Sequence, residues 1–124
     1  MKVISTNNAP QALGPYSQAV LVGSTLYMSG QIAINRATGE FVQSSIEAET
    51  EQIMHNMEAV LEEAGFAFRH VVKTTIFATD IKDFEAINAV YAKFFKVDPP
   101  ARSFVQVAAL PKGARVEIEA IAYK

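Results

Sequence analysis

The stretch PPARSFVQVAALPKGARVEIEAIAYK, residues 99–124, decides how the chain is read. Phe104 to Leu110 and Arg115 to Tyr123 are two β-prone runs, and Pro111-Lys112-Gly113-Ala114 lies between them. Read locally, this is a terminal hairpin. The second run alternates. Val116, Ile118, Ala120 and Ala122 share one side, and Glu117, Glu119, Ile121 and Tyr123 share the other. Arg102 stands at the entry of the first run, behind Pro99 and Pro100, which restrict the backbone before it. Taken alone, Arg102 is either a strand-entry cation paired with Glu117 or Glu119, or a clamp for a ligand carboxylate. Glu117 and Glu119 are likewise either a solvated stripe or a source of one catalytic carboxylate.

Working outward, Val3-Ile4-Ser5 is a short edge strand and residues 7–15 form a loop rich in Asn, Pro and Gly. Residues 19–22 and 25–31 are strands joined by a two-residue turn at Gly23-Ser24. Ile46, Ile53, Met57, Val60, Leu61 and Ala64 recur near a 3.6 period, which predicts a helix over 45–64. Ser44 with Glu47 reads as its capping box, and Gly65 as its left-handed stop. The glutamates at its start read as a solvated, well-capped terminus. Val71 to Ala78 is a strand. Asp83 caps a second helix whose apolar side holds Phe84, Ile87, Tyr91, Phe94 and Phe95.

This order gives one α+β domain over residues 1–124: a two-layer sandwich with a mixed sheet of about five or six strands and two helices on one face. The other sheet face mixes apolar, aromatic and charged groups, so a subunit interface is expected to cover it. A chain of 124 residues buries roughly two thirds of its unfolded surface, enough for a core without staples.

Composition narrows the chemistry. There is no cysteine, which excludes disulfides, thiolate metal sites and a cysteine nucleophile. The net charge of −2 with no basic cluster disfavours nucleic acid. His55 and His70 have no ligand spacing, so no metal is expected. No Gly-x-Ser-x-Gly elbow, Gly-x-Gly-x-x-Gly or Walker loop is present. No apolar run approaches the ~20 residues of a membrane span, and the N-terminus has no apolar signal segment. A soluble cytoplasmic protein is expected. The segments Gly14-Pro15-Tyr16-Ser17-Gln18 and Ser29-Gly30-Gln31 flank the early hairpin. Their glycines suit a turn, a bulge or the close approach of a small ligand.

Together, Pro100-Ala101-Arg102-Ser103, Val105, Leu110 and Val116-Glu117-Ile118 resemble the C-terminal signature of the Rid family, also called the YjgF family. Gly14 to Gln18 and Ser29 to Gln31 resemble its other two motifs, and Asn88 matches a further position. The resemblance runs from about Ala9 to the C-terminus and points to the RidA-like branch. It implies a chorismate-mutase-like fold, a homotrimer and ligand sites between subunits. It implies cofactor-independent hydrolysis of enamines and imines such as 2-aminoacrylate, 2-iminopropanoate and 2-iminobutanoate to 2-keto acids and ammonia. Arg102 would then clamp the substrate carboxylate and Glu117 would position water. Tyr16, Ser29, Gly30, Asn88 and Phe104 would line the pocket. Many members carry cysteine where this chain has Phe104. Two other readings stand beside it: a non-catalytic keto-acid sensor using the same arginine, and an RNA-directed ribonuclease or translation inhibitor.

Overall fold

The structure, a computed structural model, describes all residues from Met1 to Lys124. Six strands and two helices follow one another as β1 (Lys2–Ile4), β2 (Ala19–Val22), β3 (Thr25–Gln31), α1 (Ile46–Glu63), β4 (Val71–Ala78), α2 (Phe84–Tyr91), β5 (Ala101–Gln106) and β6 (Val116–Tyr123). The strands form one mixed sheet in the order β1-β2-β3-β6-β4-β5. This is the expected α+β, chorismate-mutase-like sandwich.

The terminal hairpin does not exist. β5 starts at Ala101 and pairs in parallel with β4, Thr74 opposite Arg102 and Ile76 opposite Phe104. β6 instead inserts between β3 and β4, antiparallel to both. A parallel pair requires a crossover, and α2 supplies it between β4 and β5. The Pro111–Gly113 segment is a 3-10 turn in a longer connection, with Lys112 at φ 57 and Gly113 at φ 71. The Pro-Lys-Gly signal marked a turn correctly; nothing local in it marks which strands pair.

Both helices contribute to one core. Leu26, Ile76, Val116, Ile118 and Ala122 of the sheet meet Ile53, Met57 and Leu61 of α1 and Ile87 of α2, all buried. Fully burying an aliphatic side chain of this size contributes about 1.5–3 kcal/mol, so this face dominates the stability. The early hairpin turns at Gly23, φ 59, as its sequence predicts. Gly65, φ 79, ends α1 as expected, and Phe66 N–H donates to the Leu61 carbonyl at 2.8 Å.

Two caps differ from expectation. Ser45, not Ser44, caps α1: its Oγ accepts from the Ala48 N–H at 3.0 Å. Asp83 makes no side-chain cap bond. Asp80 caps the preceding 3-10 turn instead, accepting from the Lys82 N–H at 2.9 Å. The helix period puts Glu49 on the buried face of α1, one turn after Ile46 and one turn before Ile53. Far from being solvated, Glu49 is completely buried. Its Oε1 accepts from Arg115 Nε and its Oε2 from the Arg115 backbone N–H, both at 2.8 Å. Arg115 also donates to the Gln43 carbonyl at 3.2 Å. These bonds tie the first turn of α1 to the start of β6.

Replacing Arg115 with methionine leaves the Glu49 carboxylate buried with only one backbone donor. Breaking a buried pair costs roughly 3–5 kcal/mol, and the partial exposure of Arg115 lowers the expected loss to about 2–3 kcal/mol. Urea unfolding of Arg115→Met checks this, and a loss under about 0.5 kcal/mol contradicts it.

Candidate active site

Strand alternation sorts the candidate residues into two groups. On β6, Val116, Ile118, Ala120 and Ala122 are buried under the helices, and Glu117 and Glu119 face the opposite, open side of the sheet. On β5, Arg102 and Phe104 are paired with Thr74 and Ile76, which are buried under the helices. Arg102 and Phe104 therefore share the helix side.

The first group lines a cleft of about 800 Å³ that includes Tyr16, Ser29, Gly30 and Glu117, with Arg36 and Lys112 among the other lining residues. Its floor is a β-bulge. The β3–β6 register shifts between Met28 and Gln31, leaving Ser29 and Gly30 against Glu119 alone. Ser29 is fixed there: its Oγ donates to the Ser17 carbonyl at 2.6 Å and its N–H to the Gln18 carbonyl at 3.0 Å. The buried Gln18 amide holds the loop in front, accepting from the Thr6 N–H at 2.7 Å and donating to the Pro10 carbonyl at 2.7 Å. Tyr16 is thereby presented on an anchored loop, with its side chain largely exposed.

Glu117 lies directly over Gly30. A Cβ at Gly30 would overlap the Glu117 carboxylate, with Cδ at 2.8 Å and Cγ at 2.9 Å. The glycine is thus a matter of close approach. Burial pushes the Glu117 carboxyl above its ordinary value, and the negative charge of Glu119 adds to the shift.

The second group lies at the sheet edge under α2. Arg102 Nη1 donates to Asn88 Oδ1 at 2.7 Å. Its guanidinium carbon sits 5.0 Å from the Tyr91 ring centre, 5.7 Å from Phe84 and 5.8 Å from Phe104. No carboxylate forms an ion pair with Arg102, so the pairing with Glu117 or Glu119 that its sequence position allows is not made. Phe84, Asn88 and Tyr91 follow an i, i+4, i+7 stripe that is visible in the sequence. Sequence reasoning did not attach that stripe to Arg102, because nothing local shows which strand it faces.

Within one chain, then, Tyr16, Ser29, Gly30 and Glu117 come together, and Arg102, Asn88 and Phe104 come together. The two groups stay apart. They occupy opposite sheet faces, and two strand spacings of about 4.8 Å separate β6 from β5. The histidines join neither group. His55 sits on α1 beside Glu51 and Glu58, and His70 Nδ1 accepts from the Ala67 N–H. No three His, Asp or Glu side chains converge as a metal site. No helix is long and apolar enough to cross a membrane.

The chain is similar to known proteins over nearly its whole length. The family model described as Endoribonuclease L-PSP matches residues 6–124. The chain is 51% identical over 121 residues to the 2-iminobutanoate/2-iminopropanoate deaminase of Homo sapiens, covering 98% of this chain and 88% of that protein. The crystal structure of RidA from the Antarctic bacterium Psychrobacter sp. is 44% identical, with TM-score 0.96, and covers 100% of both chains. The crystal structure of Escherichia coli TdcF with bound serine is 42% identical, with TM-score 0.96, covering 100% of this chain and 99% of that one.

The packing over Gly30 makes two tests. Gly30→Ala forces the Glu117 side chain aside and is expected to cost about 1–3 kcal/mol in urea unfolding, as overpacking does. A neutral result removes the close approach. Glu117 binds its proton more tightly in the native state than in the unfolded chain. Wild-type stability therefore falls as pH rises from about 4.5 through the raised native value. Glu117→Gln lacks this term, so its stability advantage at neutral pH should shrink as pH falls to 4.5 and below. A pH-independent difference between the two proteins would contradict it.

Proposed function

The chain belongs to the Rid family, the family of the matching Endoribonuclease L-PSP model, and on that premise we propose that it hydrolyses 2-imino acids and their enamine tautomers to 2-keto acids and ammonia in the cytoplasm. The observation that carries this is Arg102: a guanidinium held in place by Asn88 with no carboxylate partner of its own. Such a cation is available to take a substrate carboxylate through two parallel hydrogen bonds. The bound serine named for TdcF, itself an α-carboxylate, is consistent with small ligands of this kind.

The chemistry needs little more. Clamping the carboxylate fixes the adjacent C=N carbon for attack. Water oxygen adds to that carbon, Glu117 takes the water proton, and the imine nitrogen gains a proton. The tetrahedral carbinolamine then re-forms C=O and expels ammonia. 2-Aminoacrylate enters after protonation at its terminal carbon gives 2-iminopropanoate. The raised proton affinity of Glu117 makes its carboxylate a stronger base than an ordinary glutamate. Tyr16, Ser29 and Gly30 line its side of the pocket, and Asn88 and Phe104 line that of Arg102. These substrates also hydrolyse spontaneously, so a sparse site without cofactor suffices.

Arg102 and Glu117 must then come from different copies of the chain, and a homotrimer with sites between subunits provides this. The open sheet face supports such an assembly, since it carries Tyr27, Phe77, Val105, Ile121 and Tyr123 with no layer over them. The sensor reading uses the same clamp and differs only in lacking turnover. The RNA reading gains nothing from the charge balance of −2.

Arg102→Ala should lower kcat/KM for 2-iminobutanoate by roughly 30-fold or more, the effect of losing about 2 kcal/mol of a desolvated charge contact. Glu117→Gln should still bind 2-ketobutyrate yet lose turnover. Wild-type binding without turnover would favour the sensor. Co-expressed at equal levels, the two inactive variants should regain about one quarter of wild-type activity, because a random trimer leaves that share of interfaces with both residues intact. No recovery would place both residues in one subunit's site.

A further inference from the structure

The surroundings of Arg102 call for an explanation beyond the reaction itself. A strand-edge arginine normally finds a carboxylate or points to water. Arg102 has no carboxylate partner and is not fully exposed. It is half-buried, and its neighbours are three rings and one neutral amide. Two rings come from α2, Phe84 and Tyr91, and the third comes from Phe104, two residues on along the same face of β5. The rings also fix one another. Phe84 and Phe104 meet with centroids 4.8 Å apart at 63°, and the Tyr91 hydroxyl is bonded to Thr74 Oγ1 at 2.7 Å. Thr74 is the strand partner of Arg102 itself.

We infer that Phe84, Tyr91 and Phe104 form an aromatic box that positions the Arg102 guanidinium for an incoming carboxylate, with Phe104 and Phe84 acting as positioning residues. This deepens the proposed function and rests on it for the identity of the ligand. Ring faces attract a cation through their quadrupole without neutralising it. A carboxylate in the same place would hold the arginine equally well, but it would compete with the substrate. The box removes side-chain freedom from the arginine beforehand, so less is lost when the two hydrogen bonds to the ligand form. It also assigns a use to Phe104. The ring lies on the helix side against Phe84, on the opposite sheet face from Glu117 and the bulge, so its bulk does not fill their cleft.

The test keeps apolar volume and removes the ring. Phe104→Leu and Phe84→Leu should each raise both KM for 2-iminobutanoate and Kd for 2-ketobutyrate by about three- to tenfold. kcat should change less than KM, and Phe104→Tyr should restore wild-type values. A readout independent of any ligand accompanies this. In the unliganded wild type the Arg102 Nε–H proton resonance should be shifted upfield by the rings, and Phe104→Leu should move it downfield. If Phe104→Leu fails to fold, Phe84→Leu, at the partly exposed surface of α2, carries the same measurements. Unchanged KM and Kd in a folded leucine variant, or a loss that tyrosine does not restore, overturns the box. A wild type that shows the upfield resonance but neither binds 2-ketobutyrate nor turns over the imine overturns the proposed function and leaves the box standing.

Discussion

The alternation of side chains along one central strand governs the rest of the molecule. β6 lies between β3 and β4, so its buried residues must be apolar and its other residues must face away from the helices. Val116, Ile118, Ala120 and Ala122 meet the first demand. The second places Glu117 and Glu119 on a sheet face that the chain does not cover itself. A strand with a buried face cannot slip by one residue without turning its carboxylates into the core. The position of Glu117 is therefore fixed by the same burial that holds the sheet together.

Two contacts refine that position. At one end, the buried carboxylate of Glu49 binds both the side chain and the backbone of Arg115, immediately before β6. Alongside, the bulge at Ser29-Gly30 removes a side chain from the path of Glu117 and lets its carboxylate lie against the β3 backbone. Burial there is what raises the proton affinity of Glu117. The same desolvation that raises the proton affinity of Glu117 is a cost to the native state.

What the sequence revealed divides along the distance between partners. The β2–β3 hairpin, the apolar stripe of α1 and the stop at Gly65 are written in neighbouring residues, and all three were legible. β5 and β6 were each recognisable as strands, but their pairing was not, because β5 joins β4 through α2 and β6 joins β3 from far along the chain. The partner of Glu49 was invisible for the same reason: Arg115 is 66 positions away. The motifs around Tyr16, Ser29, Arg102 and Glu117 identified the family, and the resemblance, not periodicity, supplied their proposed roles. That these residues fall into two groups on opposite faces follows only from knowing that Arg102 is registered with Thr74.

On the proposed function, Arg102 as carboxylate anchor on one face and Glu117 as base on the other give each chain half a site twice over. If the halves meet only between copies, an isolated chain is inert toward the substrate whatever its own stability, and catalytic competence becomes a property of the interface. The open face would then have to meet two demands at once. The apolar groups Tyr27, Ile121 and Tyr123 would favour association, while Glu117 would have to remain accessible to the ligand. Under the same proposal, a face made wholly apolar would assemble more firmly and lose Glu117, and one made wholly polar would keep Glu117 and never bring it to Arg102. The mixed apolar and charged character of this face is what the proposed shared site requires.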